Sequence, residues 1–87
     1  MNIYVILGAQ NPTVVDALVP RIFPYYRKVG PGQWVIGHPS VLPNDVYEAM
    51  KAAQGDNIFC VIAAVNRYYG WQDKSVWDWI EATSRVQ

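Results

Sequence analysis

The chain has 87 residues and no net charge, which sets a size of one domain and excludes a second. Hydrophobic residues make up 52% and charged residues only 16%, so intrinsic disorder is excluded and so is a broad basic grip on nucleic acid. Four Trp and six Tyr in so short a chain exceed what a small core hides, so a self-association surface is expected.

Asn2–Leu7 is an apolar run that reads as a buried strand ending at Gly8. Asn11 and Pro12 open a helix, because Asn caps free N–H groups and Pro suits the first helical position. Val14, Leu18 and Ile22 form its stripe. Pro20 lacks an N–H, so the helix is expected to stop near Val19 or to kink there.

Residues 25–29 read as a second strand and 33–37 as a third, joined by the Gly30-Pro31-Gly32 turn. Residues 38–40 read as loop, with His38 exposed. Pro43 starts a second helix, with Asp45 in its first turn and Gly55 as its stop. Val46, Ala49, Met50 and Ala53 follow helical spacing. Residues 58–65 form the most apolar strand of the chain. Residues 66–72 are an aromatic loop, and Asp73 caps a last helix from Lys74 to about Thr83.

This order gives an α+β fold over residues 1–87: a ferredoxin-like βαββαβ plan with an added C-terminal helix. Its sheet order is 4-1-3-2, with strands one and three central and two helices on one face. Strand one presents Ile3, Val5 and Leu7 on one side, Tyr4 and Ile6 on the other. Strand four is apolar on both sides as well. The two crossover helices cover one face only. The Tyr4 and Ile6 face is expected to need the last helix, a second copy, or both.

Candidates for chemistry are few. His38, Cys60 and the acids show no metal-ligand spacing, so neither a metal nor a cofactor is expected. Cys60 sits inside an apolar strand and reads as a buried thiol, slow to react. As a lone cysteine it allows no internal disulfide and fits a cytoplasmic protein. No serine has the setting of a nucleophile. Asp73, Asp78 and Glu81 read as a solvated face. No transmembrane run and no secretory signal is expected.

Two segments mix rings and cations: Tyr25-Tyr26-Arg27-Lys28 and Arg67-Tyr68-Tyr69-Gly70-Trp71. Both suit single-stranded nucleic acid, and both suit protein interfaces. Zero net charge favours the protein interface. The binding residues expected are Tyr4, Arg67, Tyr68, Tyr69, Trp71 and Trp79. Trp77 is assigned to the core beside Val76 and Ile80, and Trp79 to the interface.

The runs WVIGHPSVLPNDVYEAM and DNIFCVIAAVNRYYGWQDKSVWDWIEA give the chain a resemblance to a known group. It resembles small ferredoxin-like proteins related to the CRISPR adaptation nuclease family and to virulence-associated protein D. The resemblance implies a βαββαβ core and a C-terminal extension that helps build a homodimer. In the nuclease family an Asp at the end of strand one binds metal. Here that strand ends Leu7-Gly8-Ala9-Gln10, and Asp16 lies beyond it, so no catalytic residue carries over. The sequence therefore favours a non-catalytic, homodimeric protein-interaction module over an enzyme. The alternative is a metal-dependent nuclease-like or nucleic-acid-binding protein.

Overall fold

Both faces of β1 (Asn2–Leu7) are apolar, and the fold is built by covering each of them. The computed structural model describes residues 1–8, 10–55, 58–65 and 74–86. After β1 come α1 (Pro12–Ile22), β2 (Tyr25–Gly30), β3 (Gln33–His38), α2 (Pro43–Gln54), β4 (Val61–Ala64) and α3 (Lys74–Ser84). The result is an α+β architecture with a four-stranded antiparallel sheet in the order β2-β3-β1-β4 and three helices. That arrangement is compatible with a ferredoxin-like plan.

Strand alternation divides the side chains between two layers. Tyr4, Ile6, Trp34 and Ile36 form one cluster with Val15, Leu18 and Val19 of α1 and Val46 and Met50 of α2. Ile3 and Val35 form the other with Val76 and Ile80 of α3. This corrects the expectation for Tyr4. It lies under the two crossover helices, fully buried, with its hydroxyl donating to the Ser40 carbonyl. A ring so enclosed has no face left for a partner. The face of Ile3 and Val5 is the one that α3 covers.

Glycine at position 37 lets α3 come close. A Cβ there would stand 2.6 Å from the Thr83 methyl, so β3 and the last turn of α3 meet where no side chain intervenes. Gly32 has a different role. Its φ of +68° suits the turn between β2 and β3, and a Cβ would stand 2.5 Å from the Gly8 carbonyl oxygen.

Three element boundaries differ from expectation. The first helix continues through Pro20 to Ile22. Pro20 is exposed, so the N–H it lacks is missing on the solvent side, and the Phe23 N–H still closes the helix end on Val19. The third strand includes His38, which is half-buried with its ring edge-on to Tyr4 and Phe23. The fourth strand is only four residues long. Its pairing begins at Leu7↔Val61, because β1 ends at Leu7 and offers residues 58–60 nothing to pair with.

Asp16 ties α1 to the β2–β3 hairpin. Its carboxylate accepts from the Gly32 N–H at 2.9 Å and the Trp34 indole N–H at 2.8 Å, and Lys28 lies at 3.0 Å. Burial pushes this carboxyl up. The hydrogen bonds from Lys28, Trp34 and Gly32 and the Lys28 charge outweigh that and hold it below the usual carboxylate range.

A depressed folded pKa means that Asp16 contributes stability above the unfolded carboxylate value of about 3.9, lost as pH falls through the lower folded value. The gap in urea midpoint between wild type and Asp16→Asn is therefore expected to be widest near neutral pH and to close on acidification. Asp16→Ala leaves the buried indole N–H of Trp34 without its acceptor, at a cost of about 1–3 kcal/mol. Equal midpoints at neutral pH would contradict both statements.

Candidate functional site

The most distinctive surface lies along β4, at one edge of the sheet. Leu7 is 44% exposed, Phe59 53% and Val61 62%. Leu7 and Val61 are cross-strand partners, so their side chains share the α3 face of the sheet. Phe59 lies two residues from Val61. Helix α3 packs over Ile3 and Val35 and leaves this end of the face open. The residues of 58–65 carry no charge.

The opposite side of the same edge holds a cavity of about 230 Å³, lined by Pro43, Asn44, Tyr47, Cys60 and Ile62. Its roof is the first turns of α2 and its floor is β4. Ser40 holds that roof in place. The Ser40 carbonyl accepts from the Asn2 side-chain amide at 2.9 Å as well as from Tyr4, and its N–H donates to His38 Nδ1 at 3.1 Å. The Ser40 hydroxyl donates to Asp45 and accepts from the Leu42 N–H at 3.2 Å. His38 is thus a structural acceptor in a half-buried site rather than an exposed loop residue. Alternation alone did not reveal this.

Cys60 is half-buried at the cavity wall rather than enclosed in the core. Burial pushes its thiol up, which keeps it protonated at neutral pH and makes it a poor nucleophile.

The described residues include two of the six expected binding residues, Tyr4 and Trp79. Arg67, Tyr68, Tyr69 and Trp71 lie outside the described residues. Trp79 is half-buried against the Val76 and Ile80 cluster, as is Trp77. At about 100° per residue, Trp79 falls nearer than Trp77 to the stripe of Val76, Ile80 and Thr83. The split between a core Trp77 and an outward Trp79 therefore does not hold. Besides Val41 and Leu42 ahead of α2, the exposed apolar residues that the sequence reading passed over are Leu7, Phe59 and Val61. Their signal was present: an uncharged strand at the sheet edge, apolar on both sides.

The basic-aromatic segment of β2 is occupied within the fold. Register puts Tyr26 and Lys28 opposite Ile36 and Trp34, and Tyr25 and Arg27 opposite Gly37 and Val35. Lys28 pairs with Asp16 and stands 6.0 Å from the Trp34 ring centre. Tyr26 packs edge-on against Trp34 at 5.7 Å between centroids. Arg27 donates to the Ser75 hydroxyl. Among the described residues, no three His, Cys, Asp or Glu side chains come together as a metal site. The Asp16 carboxylate, which follows β1 in sequence, already accepts from Gly32 and Trp34. Among the described residues, no helix is long and apolar enough to cross a membrane.

No protein-family model matches the chain, and neither does any curated protein or solved structure.

Two outcomes follow from these placements. A thiol reagent at neutral pH is expected to label native Cys60 about tenfold or more slowly than the denatured chain. Equal rates would remove the protonated, half-buried thiol. Trp79→Ala is expected to lower the unfolding free energy by about 2 kcal/mol, below the cost of a fully buried ring. An unchanged melt would place that ring outside the second cluster.

Proposed function

We propose that the protein is a non-catalytic interaction module of ferredoxin-like plan that works as a homodimer and presents its joined surface to a protein partner. The observation that carries the reading is the exposed apolar group of Leu7, Phe59 and Val61 beside an uncharged sheet edge. Contiguous apolar side chains at a surface mark interaction sites, and a neutral chain brings no repulsion between copies. The resemblance noted for the third strand and the chain end supplies the expectation of a dimer. Arg67, Tyr68, Tyr69 and Trp71, which follow β4 in sequence, remain binding residues in this proposal, and Tyr4 does not. A single cysteine suits a reducing cytoplasm, which this proposal takes as the module's compartment.

Sedimentation at micromolar concentration is expected to give a dimer. Val61→Asp sets a charge in the apolar group and is expected to raise the dimer dissociation constant at least tenfold. Val61 is exposed, so the thermal melt of the monomer should barely move. A monomeric wild type, or a Val61→Asp dimer of unchanged affinity, would overturn the proposal.

A further inference from the structure

We infer that two copies join β4 to β4 in an antiparallel ladder centred on Ile62, extending the sheet to eight strands and seating each copy's Ile62 and Ala64 beside the other's cavity. The inference rests on the homodimer reading and specifies its geometry.

Backbone directions fix the centre. The Val65 N–H bonds to the Ile3 carbonyl at 2.8 Å, so Val65 and Ile3 form a hydrogen-bonded pair. Such pairs alternate along an antiparallel ladder. Ala63 and Val61 therefore turn their backbone groups toward β1, and Ile62 and Ala64 turn theirs outward. Among the described residues no strand lies beyond β4 to receive them. A two-fold axis normal to the sheet keeps each face on its own side, and among residues 60–64 a centre at Ile62 brings three outward-facing pairs together where a centre at Val61 or Ala63 brings two. At Ile62 the two copies exchange both N–H···O bonds. Val61 then faces the partner's Ala63, and Cys60 faces the partner's Ala64. Centring on Ala64 instead would pair Ile62 with residue 66, beyond the end of the strand.

Side chains on both faces favour a second copy as the occupant. Beside the cavity wall formed by Cys60 and Ile62, the register sets the partner's Ala64 and Ile62, both apolar. On the α3 face the register sets Val61 against the partner's Ala63 and Phe59 against the partner's Val65, with Leu7 behind Val61 on β1. Doubled by symmetry, these contacts run the length of both strands with no charged residue among them. The other sheet edge, β2, carries Arg27 and Lys28 and offers no such match.

The test uses full-length chains carrying Cys60→Ala, to which Val61→Cys or Ala63→Cys is added. Both added positions are exposed, which spares the fold. In the inferred register, residue 61 lies about 4.5 Å, Cα to Cα, from the partner's 63. Residue 61 and its own symmetry mate lie about 8 Å apart, beyond disulfide reach. Mild oxidation of the two variants mixed is expected to give a covalent dimer, and oxidation of either alone is not. A monomeric wild type on sedimentation would overturn both this inference and the homodimer reading. A wild-type dimer with no mixed cross-link, or with equal cross-linking of the single variants, would overturn the register and leave the homodimer standing. Hydrogen exchange on the wild type gives a second measurement that needs no variant. The amides of Ile62 and Ala64 are expected to slow at least tenfold between dilute and concentrated protein, while those of Val61 and Ala63 hold steady. Unchanged exchange at Ile62 in a dimeric sample would also overturn the register.

Discussion

A sheet that is apolar on both faces must be covered twice, and this constraint shapes the whole molecule. Tyr4, Ile6, Trp34 and Ile36 demand one layer, which α1 and α2 supply. Ile3 and Val35 demand another, and α3 supplies it alone. One helix is narrower than two. The single-helix layer therefore reaches the centre of its face but not the end where Leu7 and Val61 stand exposed. The open apolar corner is what remains when three helices cover four strands.

Polar groups in this fold serve mainly to hold layers in register. Asp16 collects the Gly32 N–H, the Trp34 indole and Lys28, joining α1 to the hairpin it crosses. Ser40 does the same for the entry to α2 by bonding to Asn2, Tyr4, His38 and Asp45. Each hub satisfies donors that would otherwise be stranded near the core. No buried side-chain nitrogen or oxygen among the described residues lacks a partner. Asp16 and Ser40 are thus engaged within the fold, each joining elements far apart in the chain.

The order of elements and the order of strands were legible because both rest on local pattern: alternation in 2–7, helical spacing after Pro12 and Pro43, and glycines at the turns. Which face received which helix was not, because alternation separates two sides without labelling them. Tyr4 was assigned to the wrong layer for that reason. A usable signal existed in β3, where Trp34 and Ile36 alternate with Val35 and Gly37. The large side chains fill the space between two helices and sheet, and the missing one admits a single close helix. His38 was misplaced because Pro39 was read as starting a loop one residue early. The cavity beside Cys60 is formed by the seating of α2 against β4, a tertiary relation that no run of residues encodes.

The two edges of the sheet are unequal, and the difference bears on how large an assembly can become. Strand β2 carries Arg27 and Lys28 and has a register irregularity between Lys28 and Gly30, both of which discourage another strand from joining. Strand β4 has neither device. Had both edges been plain, copies could have added without limit, head to tail, as a fibre. With one guarded edge, any isologous union through β4 would use that edge in both copies and close at two. The charges on β2 thus oppose open-ended growth along the sheet, the outcome that two plain edges would permit.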